Sequence, residues 1–504
     1  MSFDDKSWSD GFSKVVRSSF WIYATSFLNN AFGFIFWLLI SFIAGPSIVG
    51  IISAISSLAN FFAGILNLGV PVGLIRWLGH SIGSGKTDEA QKFFWSGLLF
   101  LITLIVPVSL VLGFMGYIGL SFSRYSPLTL VFTSMFLIFS LKVVVTSLYI
   151  GYMKTFPYFL STLIGQILRI VVGVLLVLIG FGWIGAAIGY LMISLTMTLV
   201  GIFYIAELIG FTPSFSTKHL LQLLKAGIPS WIPNVIVTIG QQLAVISVFI
   251  MIGAAETGTF YVAFTIGSFV IGIALAVQQI MFPYLSGLTD GRKRAAWNSV
   301  RVGLAFTMPL VVGVGLFPEY ILGLLGPSYT VAWLELEIIM FSSLLLVFTS
   351  AVNNLCYAYE KYHYVLLIGL AMSIPRLILY VFLTPIWGST GTALSLAIGS
   401  VTGILTALTI APKIGLNFNW QALTSIFIAP LATGIPLGLL FKLFIPKLWI
   451  VGLSATIILN YIILMKLKII AKNDIVEIGK AIIPKKYQPT IYDLAKPLID
   501  LIYG

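Results

Sequence analysis

Three basic side chains, Lys142, Arg169 and Arg376, stand inside long apolar runs, and a fourth, Arg76, stands where such a run ends. An ionisable group at membrane depth is costly and by default marks a function, with snorkelling to the interface or pairing with backbone carbonyls as the structural alternative. No acid stands at mid-depth beside them, so the space around them is left positive. A positive cavity attracts anions and holds them through charge-assisted hydrogen bonds. Amides recur in neighbouring runs, at Asn30, Asn60, Asn67, Asn234, Gln241 and Gln279. In the first run Tyr23, Ser26, Asn30, Gly33 and Trp37 share a helical face, and Ser53, Ser57, Asn60, Gly64 and Asn67 do so in the second. Such stripes face something other than lipid, either a neighbouring helix or a water-filled cavity.

The elements that must position these groups are membrane helices. The 504 residues have a mean hydropathy of +1.06, with 59% hydrophobic and 9% charged residues, whereas a soluble domain is about a quarter charged. Runs of roughly 20 apolar residues, the length needed to cross a bilayer, begin near residues 19, 48, 93, 127, 157, 183, 231, 257, 300, 332, 363, 388, 422 and 448. Short connections leave helices as the reading, since lipid offers no partner to backbone polar groups. The expected fold class is an all-α polytopic membrane protein with about 14 transmembrane helices.

The chain also repeats itself. Tyr152, Lys154 and Arg169 recur as Tyr359, Lys361 and Arg376, 207 positions on, and Gly185 recurs as Gly391 after 206. Each copy reads as a short basic loop, an apolar span with one Arg near its middle, a tight turn and a second apolar span. A repeat of about 200 residues points to a transporter of two related halves. An even number of spans separates the copies, so the halves are parallel, related by an axis along the membrane normal. The organisation expected is an interfacial segment 1–17, an N-lobe 18–207 with helices 1–6, a connector 208–230, a C-lobe 231–411 with helices 7–12, appended helices 13–14 over 412–468, and a tail 469–504.

The net charge of +12 is a topology signal rather than a nucleic-acid surface. With the N-terminus inside, 22 of the 28 Lys and Arg residues fall in inside segments, and only Arg124, Lys442 and Lys447 in outside loops. Both termini are therefore expected in the cytoplasm of a plasma membrane protein. Trp8, Phe12, Val15 and Val16 read as an interfacial face, as do Ile491, Leu494, Leu498 and Leu501 in the tail, although Pro497 interrupts it. Lys218, His219 and Lys225 mark an amphipathic segment before span 7, and Pro430 and Pro436 suggest a kink in span 13.

Several chemistries drop out. GSGKT at Gly83–Thr87 lacks the first glycine of a phosphate loop, because His80 stands there, and lacks the strand that must precede it. The single Cys356 allows no internal disulfide, and His80, His219 and His363 are scattered, so neither metal nor cofactor is expected. No short apolar core with a cleavage site follows the first residues, so no cleavable signal peptide is expected. Without a nucleotide site, transport is driven by an ion gradient or by consumption of the product.

Seven segments in order resemble one family: LGVPVGLIRWLG with Gly69 and Arg76, GFGWIGAAIGY, AGIPSWIPN, GAAETGTFY with Glu256 and Gly258, FPYLSGL with Pro283, LLGPSYTVA, and TPIWGSTGTALS. Over residues 15–465 the chain resembles the polysaccharide-transporter branch of the multidrug/oligosaccharidyl-lipid/polysaccharide exporters, the Wzx-type flippases of lipid-linked oligosaccharides. The resemblance implies two six-helix lobes forming a V, a central cavity lined by spans 1, 2, 7 and 8, and alternating access with the lipid tail left in the bilayer. One departure stands out: relatives often carry an Asp in span 7 where this chain has Ala244, beside Gln241 and Gln242. That puts acid-coupled transport through this position in doubt, and the coupling ion, Na+ or H+, stays open.

The resulting expectation is a flippase for a polyprenyl-(pyro)phosphate-linked oligosaccharide. Arg76, Lys142, Arg169 and Arg376 meet the phosphate, and Asn30, Asn60, Asn67, Asn234, Gln241 and Gln279 line the path. Its partners would be the lipid-linked glycan and other glycan-assembly membrane proteins, with no nucleic acid. A cation-coupled multidrug exporter of the same fold is the alternative, which intramembrane carboxylates facing the cavity, such as Glu335 and Glu337, would favour. A membrane glycosyltransferase or polymerase is a third reading, but the longest outer connector offers only Glu319 as an acid.

Overall fold

Helix breakers set the order of the elements. The computed structural model describes residues 5–287, 292–472 and 474, with side chains placed over 18–275 and again from 293. Helices α1 (Asp5–Ala44) and α2 (Pro46–Leu66) part at Gly45, with φ at 76°, and Pro46 opens α2 where its missing N–H goes unneeded. Asn67 then turns the chain: its amide donates to the Gly64 carbonyl and its oxygen accepts from the Gly69 N–H. After this turn comes α3 (Val70–Gly83), then α4 (Thr87–Tyr117). Ser126 caps α5 (Pro127–Phe139), accepting from the Thr129 N–H. Next come α6 (Lys142–Gly151), α7 (Thr155–Leu176), α8 (Gly182–Leu208) and α9 (Thr217–Met251). The remainder forms α10 (Ala254–Gly287), α11 (Arg292–Leu316), the short α12 (Pro318–Gly323), α13 (Trp333–Ala358), α14 (Tyr362–Ile410), α15 (Trp420–Phe444) and α16 (Trp449–Lys466).

Among the described residues, 12 helical stretches are long and apolar enough to cross a membrane, and the protein is a multi-pass membrane protein. Two of them, Thr155–Leu208 and Tyr362–Ile414, run to 54 and 53 residues. That is about 80 Å if straight, more than twice a bilayer core of about 30 Å. Each is folded at a glycine in nearly the same conformation: φ 53° and ψ −132° at Gly182, φ 60° and ψ −142° at Gly388. Each is thus a hairpin of two spans, and the expected fourteen are recovered.

The repeat seen in the sequence recurs in the backbone. Met153 and Glu360, 207 positions apart, both take the left-handed conformation, with φ at 55° and 58°. The next N–H, from Lys154 or Lys361, reaches back to Tyr149 or Cys356 at 2.8 Å in both copies. Neither residue is glycine, so both loops hold a conformation that costs roughly 1–2 kcal/mol.

Two helices run on where the sequence suggested separate pieces, and a third keeps its prolines inside one helical run. Residues 5–17 continue into span 1 as one helix, although the side chains of Trp8, Phe12, Val15 and Val16 lie outside the described residues, as does the tail stripe from Ile491 to Leu501. The amphipathic segment around Lys218 and Lys225 continues through Pro229 and Pro233 into span 7. Helix α15 holds Pro430 and Pro436 without interruption. Span 4 does the opposite. At Ser140 and Leu141 it tightens into i+3 hydrogen bonds, Leu141 to Ile138, Val143 to Ser140 and Val144 to Leu141, and α5 gives way to α6.

Packing divides the chain into two compact units, Met1–Val262 with Arg376–Thr392, and Ala263–Pro375 with Ala393–Gly504. The first has a core of Leu74, Leu78, Phe93, Phe94, Val144, Leu148 and Tyr149. The second is centred on Val352, Leu355, Cys356, Ile368, Ala407 and Ile410.

Candidate functional site

Arg169 is at the centre of the first unit's polar interior. Its side chain is 5% exposed. Its guanidinium lies 4.1 Å from the ring centre of Phe36 and 4.3 Å from that of Tyr190, with Trp37 at 5.9 Å. Tyr261 packs edge-on against Trp37 at 4.7 Å, so α1, α8 and α10 all contribute to the box. Each close ring stabilises the cation by up to about 2 kcal/mol when water is excluded. Burying an ion still costs several kcal/mol, so the rings do not offset the burial by themselves. Among the described residues Nε and Nη2 have no hydrogen-bond partner, which leaves two donors for an anion.

Lys142 is the second member of the group. The tightened turn at Ser140–Leu141 starts α6 at this residue, and its Nζ donates to Ser194 Oγ on α8 at 2.7 Å. It also lies within electrostatic reach of Arg169. Two like charges near each other in a place poor in water repel, and a dianion between them would relieve that repulsion. Among the described residues, no ion pair involves either side chain.

The amides divide in a way the sequence did not show. Gln166, one turn before Arg169, donates to Asn29 Oδ1 at 2.8 Å, and its own Oε1 has no partner among the described residues. Asn29, not Asn30, therefore joins the group; Asn30 is exposed one turn before Gly33, the position that backs onto Arg169. Asn60 is exposed on α2, Asn67 is used by its own turn, and Asn234 is exposed and donates to the Ser230 carbonyl. Gln241 is half-buried on α9, three positions before the fully buried Ala244. The side chain of Gln279 lies outside the described residues, as does that of Pro283.

The other two predicted cations occupy different settings. Arg76 is exposed on α3. Arg376 is 2% exposed on α14, one turn before Tyr380, whose hydroxyl donates to the Gly240 carbonyl on α9 at 2.9 Å. The structure thus gathers Lys142, Arg169, Gln166 and Asn29 and leaves Arg76 outside the group. The aromatic partners Phe36 and Tyr190 were not singled out as ligand-site residues; the available signal was a paired Phe36–Trp37 opposite the lone Arg of span 5.

Two helices of this unit meet by backbone contact. A side chain at Gly50 would collide with the Ala254 carbonyl, and one at Gly258 with that of Pro46, so α2 and α10 touch main chain to main chain. Beside them the Glu256 carboxylate accepts from the Ser389 N–H at 2.6 Å, capping the helix that restarts after Gly388.

The sequence matches the family model for polysaccharide biosynthesis proteins over residues 15–289. The chain belongs to this polysaccharide biosynthesis family. Comparison with curated proteins finds no match. Among solved structures the family member is similar to lipid II flippase MurJ in an inward closed conformation, with TM-score 0.74 and 18% identity over 88% of this chain and 97% of that one. It is also similar to an inward-facing multidrug resistance MATE family transporter of the MOP superfamily, with TM-score 0.62 and 17% identity over 76% and 94%. A third is an MOP superfamily transporter from Pyrococcus furiosus described as having a binding pocket of reverse polarity, with TM-score 0.55 and 17% identity over 80% and 95%. Likeness at such identity establishes the fold, with the two lobes that the family resemblance implies.

Proposed function

We propose that this protein carries a polyprenyl-(pyro)phosphate-linked oligosaccharide from the cytoplasmic to the outer leaflet by alternating access, for cell-surface polysaccharide or glycoprotein synthesis. The observation that carries the reading is Arg169, buried, with no carboxylate paired to it among the described residues, two unused donors and Lys142 within electrostatic reach. A phosphate or pyrophosphate would take those donors and neutralise both cations. Gln166 and Asn29 would meet the first sugar, and Arg76 and Arg376 are further phosphate contacts along the path. Membership of a polysaccharide biosynthesis family and a fold shared with a lipid II flippase agree with this reading. We place the protein in the plasma membrane with both termini cytoplasmic, on the bias of its Lys and Arg residues.

A multidrug exporter with the same fold would need a carboxylate to receive a cation. Glu337 instead lies within reach of Glu319 and Lys442 in the second unit, where Lys442 bridges Glu319 at 3.1 Å. The decisive assay reconstitutes the protein in liposomes with a fluorescent polyprenyl-diphosphate oligosaccharide and bleaches the exposed leaflet with an impermeant reductant. Protein-dependent loss of the protected pool is expected, slowed at least about tenfold by Arg169→Ala and by Lys142→Ala, the loss of one charge-assisted contact. Unchanged rates in both variants would remove the phosphate from this group, and gradient-driven movement of a cationic dye without lipid movement would favour drug export.

A further inference from the structure

The second hairpin carries a groove between its arms. Its walls are the two arms of α14: Tyr364, Leu367, Ala371 and Pro375 on one side, Thr406 and Thr409 on the other, enclosing about 450 Å³. The arms touch where Thr402 Oγ1 donates to the Ala371 carbonyl and Gly403 meets Met372, and they splay from there to Lys413 at the mouth. Leu367 and Ile374 are about half exposed, so the groove opens on the outer surface of the helices.

The repeat shows what sets its lining apart. Ala371, Thr406 and Thr409 stand where the first half has the larger Ile164, Val200 and Phe203. The same register places Lys413 where the first half has Glu207. In the first half Glu207 faces Lys154 at 4.0 Å. In the second half both positions are lysine, and no ion pair among the described residues joins Lys361 or Lys413. Lys361 lies 5.8 Å over the Tyr364 ring at the same mouth, and Lys293 reaches Gly415 close by. Glu360 is the single acid in the two loops.

We infer that this groove binds one anionic glycerophospholipid of the surrounding leaflet, with its phosphodiester between Lys361 and Lys413 and an acyl chain along Leu367, Ala371 and Ile374. Charge selects the headgroup, because two unpaired lysines at a membrane surface favour an anionic lipid. Length selects the tail. From Tyr364 to Pro375 the wall runs about 16 Å along the helix, close to half of a hydrocarbon core of about 30 Å. A chain that ends at the bilayer midplane fits it, whereas a polyprenyl tail several times longer does not. The site is separate from Arg169 and stands whether or not the transport reading does.

Native mass spectrometry of the full-length protein, exchanged with phosphatidylglycerol or phosphatidylcholine of the same acyl chains, tests this. Retained phosphatidylglycerol is expected to exceed phosphatidylcholine about tenfold. Lys413→Glu, which recreates the first half's ion pair with Lys361, brings the ratio to about one. Ala371→Ile with Thr409→Phe, which places the first half's larger side chains in the groove, loses both lipids while leaving the thermal midpoint of the protein in place. Glu207→Lys gains no lipid, since the larger Ile164, Val200 and Phe203 leave that hairpin less room. A tenfold preference that survives Lys413→Glu overturns the inference. So does displacement of the bound lipid by an equal concentration of polyprenyl phosphate, which would make the groove a resting place for the substrate tail.

Discussion

The two hairpins, Thr155–Leu208 and Tyr362–Ile414, are one design carried out with different side chains. Their loops agree to within a few degrees at Met153 and Glu360, and their tips share the same backbone at Gly182 and Gly388. Their surfaces do not agree. The first packs its arms through Gly173 and Gly189, neutralises its mouth with Lys154 and Glu207, and holds Arg169 against rings from α1 and α8. The second has Tyr380 and Ser395 at the corresponding positions, a mouth of two lysines, and Arg376 beside Tyr380. Backbone geometry is shared where the chain must turn, and the side chains between the turns differ.

That contrast is most severely tested at the hairpin tips. Gly182→Ala meets nothing nearer than Ile48, so its cost is the strain of a non-glycine residue there, about 1–3 kcal/mol. Gly388→Ala carries the same strain and drives its methyl into the Glu256 carboxylate, so it loses the bond to Ser389 as well, about 1 kcal/mol more. Thermal unfolding of the two variants should rank Gly388→Ala as the less stable; equal losses would mean that the Glu256 cap contributes nothing. A smaller effect is expected in the loops. Met153→Gly and Glu360→Gly each relieve a left-handed residue at roughly 1 kcal/mol, partly offset by glycine's greater chain entropy. The two should stabilise the protein by similar amounts, and opposite signs would show that the loops are copies in outline only. The smallest effect belongs to the mouth of the first hairpin. Lys154 and Glu207 are half exposed at 4.0 Å, so Lys154→Ala should change stability by under about 0.5 kcal/mol.

The spans, the repeat and the fold were legible because apolar runs, charge bias and the recurrence of Tyr152, Lys154 and Arg169 are linear signals. The cations were legible too, since a charge in an apolar run stands out on composition alone. Their surroundings were not. Phe36 and Tyr190 look like ordinary aromatic side chains of a span until folding aims them at a guanidinium. Asn29 and Asn30 differ by about 100° around a helix, and the polar stripe through Gly33 pointed to Asn30 while the contact to Gln166 uses Asn29. The tightened turn before Lys142 has no proline or glycine to announce it; Ser140 donates its hydroxyl to the Leu137 carbonyl and the turn follows. The groove of α14 required both copies in register, because no single residue in it is unusual.

Two glycines meeting main chain to main chain, Gly50 at Ala254 and Gly258 at Pro46, also set a rule for the resting ensemble. A conformer in which α2 and α10 make this contact tolerates no methyl at either position, whereas one with the helices apart would. A single added carbon at Gly50 thus acts like a ligand with affinity for only one state, shifting occupancy without touching the charged interior.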